Sequence, residues 1–291
     1  MPPSVLVHGP ASWNRIVLLD RLPAPVPHTV FADRSWETVG GTSAGKALGL
    51  ATLGCDTVLA TRLGVDDDGE RVRYLLDRAG VRLRVTPSAA TEKHLNLMTP
   101  RGERLSIYLA PPADGEDPAD PRGDAALQSV MATADALVLD LSAASRRLLP
   151  LARSTGRPLW VDLHDYDGTA VFHQPFLEAA DAVFLNADAT DDPEALARRC
   201  LRFGASFAVC TLGAEGALAV DAAGGAHRVA AAPTEVVDTN GAGDAFFAGV
   251  LQAHLAGAGL PEALEAGAAH AALVLRSRHL HPVLDALLDP L

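Results

Sequence analysis

The residues best suited to do chemistry lie together at Asp238-Thr239-Asn240-Gly241-Ala242-Gly243-Asp244, a glycine-containing loop that runs into an alanine-rich helical stretch. Backbone N–H groups at a helix start attract an anion, and Asp244 would set a carboxylate where they converge. An anion site beside a base suits transfer of a phosphoryl group to a hydroxyl, which needs charge stabilisation and a proton acceptor. The same spacing also describes a glycine turn with an acidic helix cap. Spacing alone leaves both readings open.

A second glycine-rich segment, Gly40-Gly41-Thr42-Ser43-Ala44-Gly45-Lys46, comes close to the phosphate-cradling pattern G-x-x-x-x-G-K-[ST]. It fails at the last position, where Ala47 lacks the hydroxyl that would hold magnesium. The preceding RSWETV is polar and alternating, not a buried strand. The segment therefore reads as a glycine turn opening a tightly packed helix, with Lys46 facing solvent unless it offers charge to a ligand.

The elements that must position these groups alternate in type. Apolar runs at Ser4–Gly9, Cys55–Arg62, Ala136–Asp140, Leu159–Leu163, Ala182–Asn186 and Phe207–Thr211 read as buried strands, and helical segments such as Asp192–Arg202 separate them. This pattern predicts an α/β fold: a Rossmann-like three-layer core with a mainly parallel sheet. Ligands in such folds lie beyond the carboxyl ends of the strands, where Gly9, Asp162, Asn186 and Gly213 fall. Acids in DDDGE at 66–70 suit a helix N-terminus. Residues 83–110 alternate like antiparallel strands turning at 100–103, and with 26–39 they predict a small β-sheet lid on one continuous domain, 1–291. Residues 111–124 read as a polar, proline-rich loop.

Composition narrows the class. Of 291 residues, 48% are hydrophobic, enough for a substantial core, and the net charge of -12 argues against a nucleic-acid surface. Three cysteines, Cys55, Cys200 and Cys210, make neither a disulfide framework nor a metal cluster and read as small core hydrophobes. SVLVHG is too short for a secretory h-region and no apolar run has spanning length, so a cytoplasmic protein without a membrane partner is expected.

Several segments together carry a family likeness. DTNGAGDAFFAG at 238–249, CTLGAEGAL at 210–218, GGTSAGKALGLATLG at 40–54, TRLGVDDDGERV at 61–72 and LLDRLP near the start resemble the ribokinase-like, or PfkB, carbohydrate kinases over nearly the whole chain. The resemblance implies ATP-dependent phosphorylation of a hydroxyl on a small sugar or sugar-like acceptor, with ATP and Mg²⁺ as cofactors and a monovalent cation as an optional addition. It makes Asp244 the general base and Gly241, Ala242, Gly243 and the Asp244 backbone the anion hole. It places Asn186, Thr211, Gly213, Gly216 and Thr239 at the nucleotide, with no residue ligating metal directly.

Acceptor recognition departs from the family pattern. The usual Asp that binds substrate hydroxyls is Asn14 here; Gly41 keeps the glycine that approaches substrate; Gly45 stands where an Asn is usual; and Lys46 follows it. His94 and Asn96 share one face of a strand in the small sheet and, with Asp162, complete the expected acceptor contacts. In the family's N-x-x-E segment Asn186 is kept, but Ala189 replaces the Glu that organises magnesium-bound water, with Asp188 one residue away. These departures admit two alternatives: a nucleoside kinase, or a noncatalytic ligand-binding member of the fold. The small sheet would act as a lid alone or also as a homodimer contact. His164 reads equally as a ligand contact or a surface histidine, and Arg104 as a lid-surface charge.

Overall fold

Period-two burial along short strands divides the apolar side chains of the large sheet between two cores. The structure, a computed structural model, describes residues 1–111 and 121–289. The first strands of this sheet are β1 (Ser4–His8) and β4 (Asp56–Gly64), with β5 (Arg82–Ser88) at one edge. Then come β8 (Ala136–Leu139), β9 (Leu159–Asp162), β10 (Ala182–Asn186) and β11 (Phe207–Thr211). β12 (Ala217–Asp221) and β13 (Ala226–Val229) finish the other edge. The order is β13-β12-β11-β10-β9-β8-β1-β4-β5, parallel from β5 to β11 and antiparallel for the last two.

Val5, Val7, Trp160, Phe184 and Val209 point into one core, while Leu6, Val161, Leu185 and Cys210 point into the other. A strand covered on both faces has no polar face to alternate with, which is why these segments read as continuous apolar runs. Cys55 sits in the first core, and Cys200 and Cys210 sit in the second; all three are buried free thiols. No helix among the described residues is long and apolar enough to cross a membrane.

The small sheet has the order β3-β2-β6-β7, from β2 (Ser12–Leu18), β3 (Arg34–Gly40), β6 (Glu92–Met98) and β7 (Arg104–Ala110). β2 and β6 are parallel, and the outer pairs are antiparallel. Two sequence expectations need correction. Arg82–Ser88 belongs to the large sheet, pairing parallel with β4. Its Leu83 and Val85 pack on the first core, and alternation alone does not distinguish a parallel edge strand from a hairpin arm. In the segment 26–39 strand begins only at Arg34, whereas Ser12–Leu18, not read as a strand at all, lies at the centre of the small sheet. The loop expected at 111–124 lies outside the described residues for 112–120, and its end is already helix α3 (Pro121–Thr133).

Two helices position the site. α1 (Thr42–Thr52) and α7 (Ala242–Leu255) pack together through small residues: a Cβ on Gly49 would come within 2.8 Å of the Ala248 Cβ. α2 (Asp67–Arg78) begins as its acids suggest, with the Asp66 side chain accepting from the Gly69 N–H at 2.8 Å. Elsewhere α4 (Ala143–Ser154), α5 (Gln174–Ala179) and α6 (Pro193–Cys200) lie between strands, and α8 (Leu260–Val274) packs along α7.

Candidate active site

The parallel strands end in polar residues at one rim of the sheet. Asp162 is the last residue of β9, Asn186 of β10 and Thr211 of β11, while Asp140 follows β8 and Gly213 follows β11. Beyond this rim opens a cavity of about 840 Å³. Asp162, Asn186, Thr211, Gly213, Gly216 and Thr239 line it, as do all four residues from Gly241 to Asp244. Every residue expected at the nucleotide and the anion hole therefore meets at one cavity.

The loop before α7 is shaped by Gly241, the helix N-cap, whose φ is 79°. A side chain there would be strained, and its Cβ would lie 2.6 Å from the Leu280 carbonyl oxygen. The turn sets the first residues of α7, with their N–H groups, at the cavity wall. These groups have no partners within a helix, so with the helix dipole they form an anion-attracting end. Asp238 braces the loop by accepting from the Asn240 N–H at 2.8 Å.

Asp244 lies in the first turn of α7 and is nearly buried. Its Oδ1 accepts from Lys46 Nζ at 2.9 Å. That ammonium also lies 3.0 Å from Asp140 Oδ1 and 3.1 Å from Asp162 Oδ2, and it is fully buried. Burial would pull the lysine pKa down; Asp140, Asp244 and Asp162 outweigh it and hold it well above the ordinary value. Asp162 is held below the usual carboxylate range, where His164 and Lys46 overcome the effect of burial. Asp244 goes the other way: burial, helped by Asp140 and Asp162, pushes it up to about 6 against the pull of Lys46. A carboxyl of that pKa is ionised at neutral pH and ready to take a proton.

Lys46 is thus neither the solvent-facing residue nor the acceptor contact that the sequence suggested. Its ammonium already lies within 3.1 Å of three carboxylates, and it does not line the cavity. The near-match to a phosphate loop fails for the same reason, since the segment is helical from Thr42 onward. Gly45 is also away from the cavity wall, lying beneath Asp244. Gly41, with φ 95°, packs against the backbone of Pro10, where a Cβ would come within 2.4 Å of the carbonyl oxygen.

Asn14, His94 and Asn96 come together, but on the small sheet. In the β2–β6 register Asn14 pairs with His94, and Asn96 lies two residues on, so the three share a face. Ser12 Oγ donates to Asn14 Oδ1 at 2.8 Å, and His94 Nε2 lies 2.7 Å from Glu92 Oε1. Arg104, on β7 and of the same facing, lines the cavity. The polar face of the small sheet therefore looks toward the site, although Asn14, His94 and Asn96 are not themselves part of the cavity wall.

The structure adds residues that sequence reasoning missed or left open. Asp140 anchors Lys46 and accepts from Ser43 Oγ at 2.6 Å and Thr42 Oγ1 at 3.2 Å. Its place just past a buried strand was the available signal. Arg104 was read as a surface charge, because nothing local distinguishes the two faces of β7. His164 lines the cavity with a left-handed backbone, φ 51°, found at no other non-glycine among the described residues. Its N–H donates to Asp162 Oδ1 at 3.0 Å and its carbonyl accepts from the Asn186 N–H at 2.7 Å, so both strand ends hold it there.

Among the described residues, no group of three or more His, Cys, Asp or Glu side chains could hold a metal ion. A magnesium carried on phosphates needs less, because it keeps several waters and takes one or two carboxylates. Asp188 lines the cavity and supplies one such carboxylate, with the Asn186 amide beside it. For a nucleotide base the cavity offers an apolar wall of Ala231, Ala268, Ala272 and Leu275.

Comparison with known proteins agrees with this geometry. Residues 15–285 match the pfkB family carbohydrate kinase pattern. The acarbose 7(IV)-phosphotransferase of Actinoplanes sp. is 35% identical over 271 residues, covering 91% of this chain and 89% of the relative. The solved structure of a microbiome-derived acarbose kinase superposes with a TM-score of 0.85 at 28% identity, over 97% of this chain and 98% of that one. Arabidopsis thaliana ribokinase, solved with ribose and ATP, shares the fold at TM-score 0.80 and 23% identity, over 97% and 96% of the two chains. The match across nearly the whole length, on a site built of an acidic residue over a glycine helix start, shows that the chain belongs to the pfkB family of carbohydrate kinases, ATP-dependent phosphotransferases acting on sugar hydroxyls.

Proposed function

We propose that this kinase phosphorylates a sugar or glycoside hydroxyl with Asp244 as its general base, and that acarbose is the acceptor to test first. The observation that carries the mechanism is the Asp244 carboxylate at the first turn of α7, inside the cavity. Its Oδ2 has no hydrogen-bond partner among the described residues, while Oδ1 is engaged by Lys46. The acceptor hydroxyl gives its proton to Oδ2 as its oxygen bonds the γ-phosphorus of ATP. The bond from that phosphorus to the β–γ bridging oxygen breaks, and its electrons leave with ADP. The turn from Gly241 to Asp244 stabilises charge on the transferring group. Asn186 and Asp188, at the cavity wall, would face a Mg²⁺, which would supply neutralising charge there. Thr211, Gly213, Gly216 and Thr239 bound the nucleotide. Asn14, His94 and Asn96 meet the acceptor from the small sheet, and Asp162 meets it from the rim.

The acceptor assignment is supported by the two acarbose-acting relatives. A cytoplasmic location suits an enzyme that uses ATP. A homodimer through the small sheet remains a separate reading, tested by the solution mass.

The test is product formation from ATP and Mg²⁺ with acarbose, ribose and a nucleoside in parallel, read by mass spectrometry. Phosphorylated acarbose in excess of the others is the expected result. A nucleoside product instead replaces the acceptor assignment. Asp244→Asn is expected to lower kcat by about 10²–10⁴-fold; undiminished turnover rejects Asp244 as the base.

A further inference from the structure

One of the two fully buried charged groups among the described residues is a lysine that the transfer reaction does not itself require. Lys46 is fully buried, so its presence needs a physical reason. Its Nζ lies 5.2 Å from the centre of the Phe247 ring and pairs within 3.1 Å with Asp140, Asp162 and Asp244, donating a hydrogen bond to Asp244. Two of these carboxylates are tied down elsewhere. Asp140 Oδ2 is held by Ser43 and Thr42, and Asp162 Oδ1 is held by the His164 N–H. Asp244 alone of the three has Lys46 as its one hydrogen-bond partner among the described residues. The lysine is therefore ion-paired with two anchored carboxylates and donates its hydrogen bond to the third.

The residue before it completes the arrangement. A Cβ on Gly45 would lie 2.6 Å from Asp244 Oδ2 and 3.0 Å from its Cγ. The carboxylate thus lies across α1 in space that any side chain at position 45 would take. Gly45 makes room, and Lys46 sets the direction.

We propose that Lys46 is a positioning residue for phosphoryl transfer, anchored by Asp140 and Asp162, which turns the Asp244 carboxylate across Gly45 and keeps it charged until the acceptor hydroxyl delivers its proton. This rests on Asp244 being the base. Three carboxylates facing one ammonium leave the cluster negative, so accepting a proton at Asp244 relieves repulsion from Asp140 and Asp162. Lys46 prevents that protonation from happening at rest. Apart from the cluster itself, the charged and titratable groups on the surrounding elements are His164 beyond β9, Arg104 on β7 and Asp188 beyond β10, all at the cavity, and His270 on α8, against Gly49 one turn along α1.

The experiment is the pH titration of the Asp244 carboxyl carbon by NMR, assigned by its loss in Asp244→Asn, in the full-length protein. Lys46→Met is expected to move the midpoint up by at least about one pH unit, and Asp140→Asn to move it down. If Lys46→Met fails to fold, the double variant Lys46→Met/Asp140→Asn takes its place, expected above Asp140→Asn alone. A lysine that serves only to fill space predicts the same midpoint in Lys46→Met as in the wild type, and in the double variant as in Asp140→Asn, and that result overturns the proposal. Turnover with acarbose separates the two readings. Activity lost in Asp244→Asn with unmoved midpoints overturns the role of Lys46 alone. Activity kept in Asp244→Asn overturns both.

Discussion

The Asp244 carboxylate lies directly over the backbone of Gly45, close enough that a Cβ at position 45 would meet Oδ2 at 2.6 Å. Gly45→Ala is therefore expected to push the carboxylate off its direction, not merely to fill a void. Overpacking of this kind costs about 1–3 kcal/mol of stability. The loss in kcat should be larger than stability alone implies, at least about tenfold, because misplacing a reacting group slows transfer steeply. Steady-state kinetics beside thermal denaturation checks it. A fully active Gly45→Ala enzyme would show that the carboxylate has other productive directions.

The raised pKa of Asp244 makes stability depend on pH in a defined direction. Burial pushes its carboxyl up to about 6 in the folded chain against an ordinary 3.8. Between these values the folded state holds more protons than the unfolded state, so stability falls as pH rises through that window and levels off above it. Asp244→Asn lacks this dependence. The variant should gain on the wild type as pH rises from about 4 to about 6, by at most about 2–3 kcal/mol. Urea unfolding of both proteins at several pH values measures the difference. A constant difference across the window would contradict the shifted carboxyl.

Arg104 is the cavity's cation from the small sheet, and it acts electrostatically on Asp238 at the foot of the anion-binding loop. Arg104→Ala is expected to raise the KM for a phosphate-bearing substrate by about tenfold, the effect of one charge-assisted contact, with the melting temperature unchanged. An unaltered KM for ATP would leave Arg104 as a surface charge.

The strands at 182–186 and 207–211 were legible to the residue, because both are buried apolar runs stopped by Asn186 and Thr211. The loop from Asp238 to Asp244 was legible because all its parts are local. Lys46 was not. Its partners lie 94 residues away at Asp140 and 198 away at Asp244, and no local pattern distinguishes a lysine buried by such partners from one facing water. The small sheet was half legible for a related reason. Ser12–Leu18 mixes polar and apolar side chains, and its polar face becomes meaningful only once β6 lies beside it. Arg82–Ser88 alternates as a lid strand would, and only its pairing with β4 places it at the large sheet's edge.

The three cysteines make the molecule its own reporter. Burial pushes the Cys55 and Cys200 thiols up to about 11 and Cys210 to about 12, so near neutral pH an alkylating reagent meets almost no thiolate while the fold is closed. Cys55 belongs to the layer built on α1 and α7, and the other two to the opposite layer. Mass-resolved alkylation over time would therefore clock the breathing of each layer separately. A substrate that clamps α1 against α7 should slow the modification of Cys55 without protecting Cys200 or Cys210 to the same degree.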